Sequence, residues 1–328
     1  MADLKTWVAG ARPRTLPAAV VPVLVGTACS AGVRTEGWFM YARNSGLLLP
    51  DGGALKGISL WRFAAALVVA LALQIGTNYA NDYSDGKRGT DDPGQRTGPP
   101  RLVGWRLAPP GQVKAAAMLS FAVAAVAGLT LAAAVSWWLL VVGAVSIAAG
   151  WLYTGGPRPY GYAGYGELFV FVFFGLVATM GSAFIQSGHL DATAGSRWAE
   201  SYPWLTFSAA VAVGSLATAL LVVNNLRDIP SDTVAGKRTL AVKIGDQRTR
   251  VLYTVLLVLP FVIVPFVAGV GGRPLGAAAL FAVLLANRPL LAVWQGAKGP
   301  ELIPVLGQTG RVQLVFGVLF AAGLFLSA

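Results

Sequence analysis

Apolar runs of about twenty residues recur along the whole chain and limit the folds that are open to it. A transmembrane helix needs roughly 20 predominantly apolar residues, and hydropathy marks nine such runs in this chain of 328 residues. Only 12% of the residues are charged, about half the fraction found in soluble domains. We therefore predict an all-α integral membrane protein with a single transmembrane domain, 1–328. The predicted spans are 15–33, 60–81, 114–133, 135–155, 166–187, 203–225, 248–270, 274–294 and 308–327.

Basic residues are distributed unevenly between the segments that join these spans. If the N-terminus is inside, seventeen Lys and Arg residues fall in inside segments and five fall in outside segments. Lys and Arg are enriched in cytoplasmic loops. The bias therefore predicts a multi-pass protein of the plasma membrane (the inner membrane where there are two), with the N-terminus and the loops 82–113 and 226–247 in the cytoplasm. Because the basic residues border apolar spans, we predict no nucleic-acid partner.

Two clusters of Asn and Asp residues stand at the ends of spans two and six. These spans cross the membrane in the same direction, so both clusters are expected at the cytoplasmic face, in the motif loops 78–113 and 224–247. The similarity of the two segments suggests an internally repeated bundle. Six of the 14 acidic residues lie in them: Asp82, Asp85, Asp91, Asp92, Asp228 and Asp232.

The first cluster has the spacing of a helical stripe. Asn78, Asn81 or Asp82, and Asp85 follow one another at i, i+3 or i+4, and i+7, which places them on one face of a helix. The carboxylates would stand at the C-terminal end of that helix, where the helix dipole is negative and disfavours them. The sequence therefore predicts that a cation compensates these charges.

The second cluster repeats the first step of this pattern and then meets a proline. Asn224 and Asn225 stand four and three positions before Asp228, and Pro230 follows. Because proline removes a helical hydrogen bond, we expect the helix to end near Ile229 and Asp232 to begin the loop.

The combination of carboxylates, amides and bases predicts a site for a metal-bound diphosphate. Mg²⁺ prefers hard oxygen ligands and is often held by one or two carboxylates together with substrate phosphates. Guanidinium and ammonium groups beside it would bind the remaining phosphate oxygens. In a membrane, such a site suits cleavage of a prenyl diphosphate, whose allylic cation would lie among apolar side chains until an electron-rich acceptor attacks it. The neighbouring bases are Lys87, Arg88, Arg101, Arg227, Lys237 and Arg238.

Several stretches resemble the UbiA superfamily of intramembrane prenyltransferases over essentially the whole chain. They are ARPRTLP at 11–17, the first Asp-rich motif at 74–89, YTGGPRPYGY at 153–162 with Gly166 and Glu167, and the second motif at 224–232 followed by GKRTLA at 236–241. Within the superfamily, the naphthoate-type (MenA-type) members match best. The common first motif carries a further Asp where this chain has Gly89, and the acid comes at Asp91 instead.

The resemblance implies nine transmembrane helices around a central cavity that is capped by the two cytoplasmic loops. It implies Mg²⁺-dependent transfer of a polyprenyl chain from its diphosphate to 1,4-dihydroxy-2-naphthoate, with loss of CO₂ and diphosphate and formation of demethylmenaquinone for menaquinone biosynthesis. The implied metal site comprises Asp82, Asp85, Asp228 and Asp232 with Asn78, Asn81, Asn224 and Asp91. Tyr160 would stand near the developing cation, and the implied substrate-binding residues are Arg14, Lys87, Arg88, Arg101, Arg158, Glu167, Arg227, Lys237 and Arg238.

Other interpretations of the same residues stay open at this stage. The charged groups are also compatible with solvated loop ends that form surface ion pairs, and Tyr160 with an interfacial tyrosine. CDP-alcohol phosphotransferases share the pattern Asp82-x-x-Asp85-Gly86, but the Ala-Arg that should follow is absent. A transporter could also use repeated polar helix ends, although transporter sites lie near the bilayer midplane. Only the resemblance favours naphthoate over 4-hydroxybenzoate, homogentisate or a chlorin as acceptor.

Overall fold

The computed structural model describes residues 3–32, 57–91, 100–187 and 203–328, and helices build the fold of this part of the chain. A short helix at the start, α1, precedes a series of apolar helices. In chain order the helices are α1 Leu4–Gly10, α2 Pro17–Cys29, α3 Leu60–Lys87, α4 Pro110–Ala134, α5 Trp138–Leu152, α6 Gly166–Ser187, α7 Pro203–Val234, α8 Leu240–Val270, α9 Pro274–Trp294 and α10 Leu302–Leu326.

Length and composition make this a multi-pass membrane protein. Within the described ranges, 7 helices are long and apolar enough to cross a bilayer. Two shorter apolar helices, α2 with 13 residues and α5 with 15, occupy predicted spans one and four. The all-α membrane fold predicted from hydropathy is therefore confirmed. Helix length does not establish the predicted count of nine crossings.

Helix α7 forms the centre of the bundle. Its most apolar window is 78% buried, whereas the corresponding windows of α3, α4 and α6 are 28% buried. A helix that is covered on all sides belongs to the interior, and one that is covered on a single face lines the bilayer. Small residues such as Ala209, Ala212 and Ala219 are completely buried, and they allow α2, α8 and α10 to pack around α7. The second Asn/Asp cluster thus stands on the most constrained helix of the fold.

Glycine permits the closest approach between α2 and α6. A Cβ atom at Gly26 would overlap the carbonyl oxygen of Thr179, whereas a Cβ at Gly269 in α8 would meet nothing within 4 Å. Both glycines lie inside helices, where alanine is intrinsically the better residue. Only packing therefore distinguishes the two positions.

We expect Gly26→Ala to lower the thermal unfolding midpoint of the purified protein, because overpacking costs about 1–3 kcal/mol. Gly269→Ala is the matched control, and it should leave the midpoint unchanged or raise it slightly. The measurement is detergent-solubilised protein heated in steps and assayed by size-exclusion chromatography. Equal midpoints for the two variants would contradict the packing of α2 on α6.

Helix α6 contains an interruption of its regular hydrogen bonding. Residues Phe171–Val177 form a π-helical stretch, and such stretches are frequently found at functional sites. In this stretch Gly175 faces α7, where a Cβ atom would lie 2.6 Å from the Cα of Gly214. The stretch therefore combines a close contact with α7 on one side and an aromatic face on another.

The two helices that carry the motifs end at residues that differ from the predicted ones. Helix α3 continues to Lys87 and α7 continues through Pro230 to Val234, so the prediction that α7 ends near Ile229 is wrong. One lost hydrogen bond does not end a helix whose stability comes mainly from tertiary packing. The hydroxyl of Thr233 also donates to the carbonyl of Ile229 at 2.7 Å. Asp232 consequently lies in the last turn of α7, and the connection to α8 is short.

Candidate active site

A cavity of about 840 Å³ opens between the helices and receives residues of both Asn/Asp clusters. Its size is within the range of pockets that bind small molecules and cofactors. The structure brings together most of the side chains that the sequence singled out. Those that line the cavity are Arg14, Asn78, Asn81, Asp85, Asp91, Arg101, Tyr160, Asn224, Arg227, Asp228, Asp232 and Lys237.

Asp85 is the point at which three elements meet. Its Oδ1 accepts a hydrogen bond from the hydroxyl of Tyr162 at 2.7 Å, and its Oδ2 lies 3.1 Å from the Nζ of Lys237. Asp85 belongs to α3, Tyr162 to the loop between α5 and α6, and Lys237 to the connection between α7 and α8. A single buried carboxylate thus joins the first cluster to the base that follows the second.

Charge fixes the protonation states around Asp85. Burial by itself lowers the pKa of Lys237. The carboxylates around it, of which Asp85 has the largest effect, outweigh burial and raise the pKa above its ordinary value. Burial, followed by the charge of Asp85, raises the pKa of Tyr162. At neutral pH the ammonium therefore stays charged and the phenol stays a hydrogen-bond donor. The ammonium also lies 4.7 Å from the ring centroid of Tyr162, a cation–π distance.

The second cluster carries its own compensating cation. Arg227 donates from Nε and Nη2 to the two carboxylate oxygens of Asp228 at 2.7 and 2.6 Å, and its Nη2 also donates to Asn224 Oδ1 at 2.9 Å. Arg227 and Asp228 are both buried, and a bidentate pair of this kind is geometrically specific. Asp232, one turn further on, receives a hydrogen bond of 3.5 Å from the hydroxyl of Thr239.

The donor set of the cavity suits a hard cation. Carboxylate and amide oxygens are the ligands that Mg²⁺ takes, and Asp85, Asp228 and Asp232 all reach the cavity. Among the described residues, no three carboxylate, thiol or imidazole side chains are gathered closely enough to hold a metal ion by themselves. Mg²⁺ needs only one or two carboxylates when substrate phosphates supply further ligands.

The asparagines of the first cluster make contacts that the sequence did not indicate. The side-chain amide of Asn78 donates to the carbonyl of Ala11 at 2.9 Å and to the hydroxyl of Thr15 at 3.3 Å. The Oδ1 of Asn81 accepts from the hydroxyl of Thr154 at 2.8 Å. These contacts tie α3 to the start of α2 and to the end of α5, so the two amides hold the cavity walls together.

Six predicted residues do not line the cavity. Asp82, which the predicted stripe also included, is turned toward the backbone of the following loop, because at 100° per residue it lies 60° around the helix from Asp85, on the side opposite to Asn81. Glu167 is buried and accepts from the amide of Asn225 at 2.9 Å. Arg88 donates to the carbonyls of Thr154 and Gly156. The remaining three are exposed: Lys87, Arg158 and Arg238.

An aromatic group lines the cavity beyond the polar residues. The ring of Tyr160 stacks on Phe169, with centroids 3.9 Å apart, and Phe169 stacks on Phe173 at 6.0 Å. The hydroxyl of Tyr160 donates to the carbonyl of Ala149 at 2.9 Å, which fixes the ring. Stacked aromatic faces are suited to a neighbouring cation.

Tyr162 was missed as a site residue, although the YTGGPRPYGY motif contains it. We expect Tyr162→Phe to reduce turnover about tenfold, since loss of a hydrogen bond that orients a metal-ligating carboxylate typically has that effect. Tyr165→Phe is the matched control, because Tyr165 belongs to the same loop and is 54% exposed. Both variants are assayed by their initial rates of prenyl transfer. Equal losses of rate in the two variants would show that the contact with Asp85 is unimportant.

Three comparisons with known proteins bear on this site. The model of the UbiA prenyltransferase family matches residues 45–301. The chain belongs to this family. The membrane fold, the family and the prenyltransferase class predicted from the motifs are thereby confirmed.

Relatives of known name are similar over their whole length. The 1,4-dihydroxy-2-naphthoate octaprenyltransferase of Mycobacterium tuberculosis is 47% identical, over 99% of this chain and 98% of the relative. The Escherichia coli protein of the same name is 33% identical, over 98% and 96%.

Solved structures support the fold independently. A UbiA homolog from Archaeoglobus fulgidus, bound to DMAPP and Mg²⁺, aligns with a TM-score of 0.64 at 14% identity, covering 97% of this chain and 99% of that one. The apo structure of a UbiA homolog from Aeropyrum pernix aligns with a TM-score of 0.65 at 15% identity, covering 98% and 99%. At these identities the likeness concerns the fold.

Proposed function

We propose that this protein transfers a polyprenyl chain from its diphosphate to 1,4-dihydroxy-2-naphthoate. The carbon–oxygen bond of the prenyl diphosphate breaks, a carbon–carbon bond to the naphthalene ring forms, and the ring loses its carboxyl group as CO₂. The product is a prenylated naphthoquinol, the reduced form of demethylmenaquinone, which serves menaquinone biosynthesis. The single observation that carries the proposal is the cavity in which two Asn/Asp clusters, cationic side chains and an aromatic wall meet.

The cationic side chains of the cavity match the charges of both substrates. A prenyl diphosphate and a naphthoate are anions, and Arg14, Arg101, Arg227 and Lys237 all line the cavity. We assign Lys237 to the diphosphate, because it already lies beside a carboxylate that is suited to the metal. Arg14 stands outside the two clusters, which makes it the candidate for the carboxylate of the acceptor.

Asp85, Asp228 and Asp232 would hold Mg²⁺, which supplies charge stabilisation for the departing diphosphate. Lys237 and Arg227 would bind phosphate oxygens and exchange their present carboxylate partners for them. The face of Tyr160, fixed by its hydrogen bond and its stack on Phe169, would stabilise the allylic carbon as positive charge develops there. The aromatic wall would also exclude water, which would otherwise capture that carbon.

The membrane location follows from the substrates. A polyprenyl tail is soluble in the bilayer, whereas the naphthoate and the diphosphate are soluble in water. We propose that the N-terminus and the two motif loops face the cytoplasm at the inner or plasma membrane, as the distribution of basic residues predicts. The diphosphate would then enter and leave at the cytoplasmic face while the tail lies between helices.

Acceptor competition tests the proposal most directly. Purified protein in lipid nanodiscs is given a polyprenyl diphosphate, Mg²⁺ and equal concentrations of 1,4-dihydroxy-2-naphthoate, 4-hydroxybenzoate and homogentisate, and products are quantified by mass spectrometry. We expect the naphthoate product to dominate and CO₂ and diphosphate to appear in equal amounts. Chelation of Mg²⁺ should stop the reaction and added Mg²⁺ should restore it. A preference for 4-hydroxybenzoate would overturn the acceptor assignment but leave the fold and family intact.

A further inference from the structure

Both oxygens of the Asp82 carboxylate are engaged by the loop that follows α3. Oδ2 accepts from the backbone amide of Leu102 and Oδ1 accepts from that of Val103, each at 2.9 Å. The side chain is completely buried and does not reach the cavity that Asn81 and Asp85 line. We propose that Asp82 is a positioning residue, which holds this loop in place, and that it does not bind the metal. The inference rests on the proposed function and assigns Asp82 a different task within it.

The loop segment that Asp82 holds, residues 101–108 (the cap turn), is compact and packs on the end of α3. The amide of Ala108 donates to the carbonyl of Leu102 at 3.0 Å, and both side chains are buried. A Cβ atom at Gly86 would lie 2.5 Å from the Cβ of Val103, so helix and turn are in direct contact. The cap turn can therefore move only by separating from the end of α3.

The cap turn brings a cation to the cavity. Arg101 directly precedes the anchored Leu102, and its Nε lies 3.5 Å from the Oδ2 of Asp91. Arg101 and Asp91 both line the cavity. Release of the amide of Leu102 would free the backbone that carries the guanidinium, so the contact made by Asp82 acts on the substrate site through Arg101.

The geometry requires a carboxylate rather than an amide. Two successive backbone N–H groups point at the two oxygens of Asp82. Asparagine has the same size but only one acceptor oxygen, and its NH₂ group would face the second N–H donor. The substitution Asp82→Asn would therefore remove one hydrogen bond and bring two N–H donors face to face at a buried position. It would not create a cavity.

The test compares Asp82→Asn with Asp85→Asn in the purified full chain, using two measurements that need no acceptor. Mn²⁺ binding, followed by electron paramagnetic resonance, reports the metal site, and the rate of trypsin cleavage after Arg101 and Arg106 reports the cap turn. For Asp82→Asn we expect cleavage to rise about tenfold, the equivalent of one lost hydrogen bond, and Mn²⁺ affinity to stay within about twofold of wild type. For Asp85→Asn we expect Mn²⁺ affinity to fall about tenfold or more and cleavage to stay unchanged.

A covalent substitute for the contact gives a second, independent result. The variant Asp82→Asn, Gly86→Cys, Val103→Cys can form a disulfide once the freed turn retreats by about 1 Å, since Cβ atoms in disulfides lie about 3.8 Å apart. Cys29 is buried and does not compete. We expect the oxidised variant to regain wild-type resistance to trypsin and the reduced variant to lose it again.

Two outcomes would overturn the assignment. One is a loss of Mn²⁺ affinity in Asp82→Asn as large as that in Asp85→Asn, with cleavage unchanged. The other is an oxidised triple variant that stays as sensitive to trypsin as Asp82→Asn. Because neither measurement involves the naphthoate, failure of wild-type protein to prenylate it would overturn the proposed function alone.

Discussion

Asp85→Asn is expected to lower kcat about 10³-fold while the protein still inserts and folds. Asp85 is the carboxylate at which α3, the loop after α5 and the connection after α7 converge. The substitution removes a negative charge that would hold the metal, and losses of this size follow when a group that stabilises developing charge is removed. The measurement is single-turnover prenyl transfer at saturating Mg²⁺ in nanodiscs.

The matched control for this variant is Asp246→Asn. Asp246 also forms an ion pair, with Arg250 Nε at 2.6 Å, but it is partly exposed and lies outside the cavity. Its partner Arg250 is buried and keeps its hydrogen bonds to two backbone carbonyls, and neither residue lines the cavity, so this variant should keep wild-type kcat. Full activity of Asp85→Asn would remove this carboxylate from the metal site, and a comparable loss in Asp246→Asn would indicate a general effect of charge removal.

Lys237→Gln is expected to strengthen the use of Mg²⁺ and to weaken the use of the prenyl diphosphate. Lys237 occupies one oxygen of Asp85, so its removal should free that carboxylate and lower the Mg²⁺ concentration needed for half-maximal activity. The same change removes a cation assigned to the diphosphate, and kcat/KM for the prenyl diphosphate should fall about 100-fold, in line with the loss of a hydrogen bond to a charged group.

Lys243→Gln is the control for this experiment. The Nζ of Lys243 donates to the carbonyl of Ala163 at 2.6 Å and lies 5.6 Å from the ring of Tyr165. It is thus a neighbouring lysine that contacts the same loop and does not line the cavity. The Mg²⁺ concentration needed for half-maximal activity and the kcat/KM for the prenyl diphosphate should both stay near their wild-type values. If Lys237→Gln raised the Mg²⁺ requirement instead, the idea that lysine and metal compete for Asp85 would be wrong.

The sequence predicted which side chains line the cavity better than it predicted the contacts of each carboxylate. Helical spacing correctly indicated that Asn78, Asn81 and Asp85 share a face, because that spacing depends only on local geometry. The same spacing rule also placed Asp82 on that face. Its carboxylate accepts from two backbone amides about twenty residues further along the chain, and a long-range contact of this kind leaves no trace in periodicity.

The ends of the helices were the least predictable part of the fold. A proline rule indicated that α7 stops near Ile229, but the helix continues through the exposed Pro230 to Val234, so the one hydrogen bond that proline removes did not end it. The roles of Tyr160 and Tyr162 could not be separated for a related reason. Both stand in one motif, and only the path of the loop shows that Tyr162 reaches Asp85 whereas Tyr160 lies against Phe169.

The π-helical stretch Phe171–Val177 makes the aromatic wall sensitive to insertions and deletions. A π-turn accommodates one residue more than an α-turn, and each residue of an α-helix advances the side-chain direction by 100°. Deleting one residue there would restore regular α-helix and leave Phe169 in register with the rest of α6. A second deletion would find no extra residue to remove, and it would rotate Phe169 by about 100° away from Tyr160 if the rest of α6 stayed in place. The shape of the cavity therefore depends on how many residues precede Ala178, and not only on which residues they are.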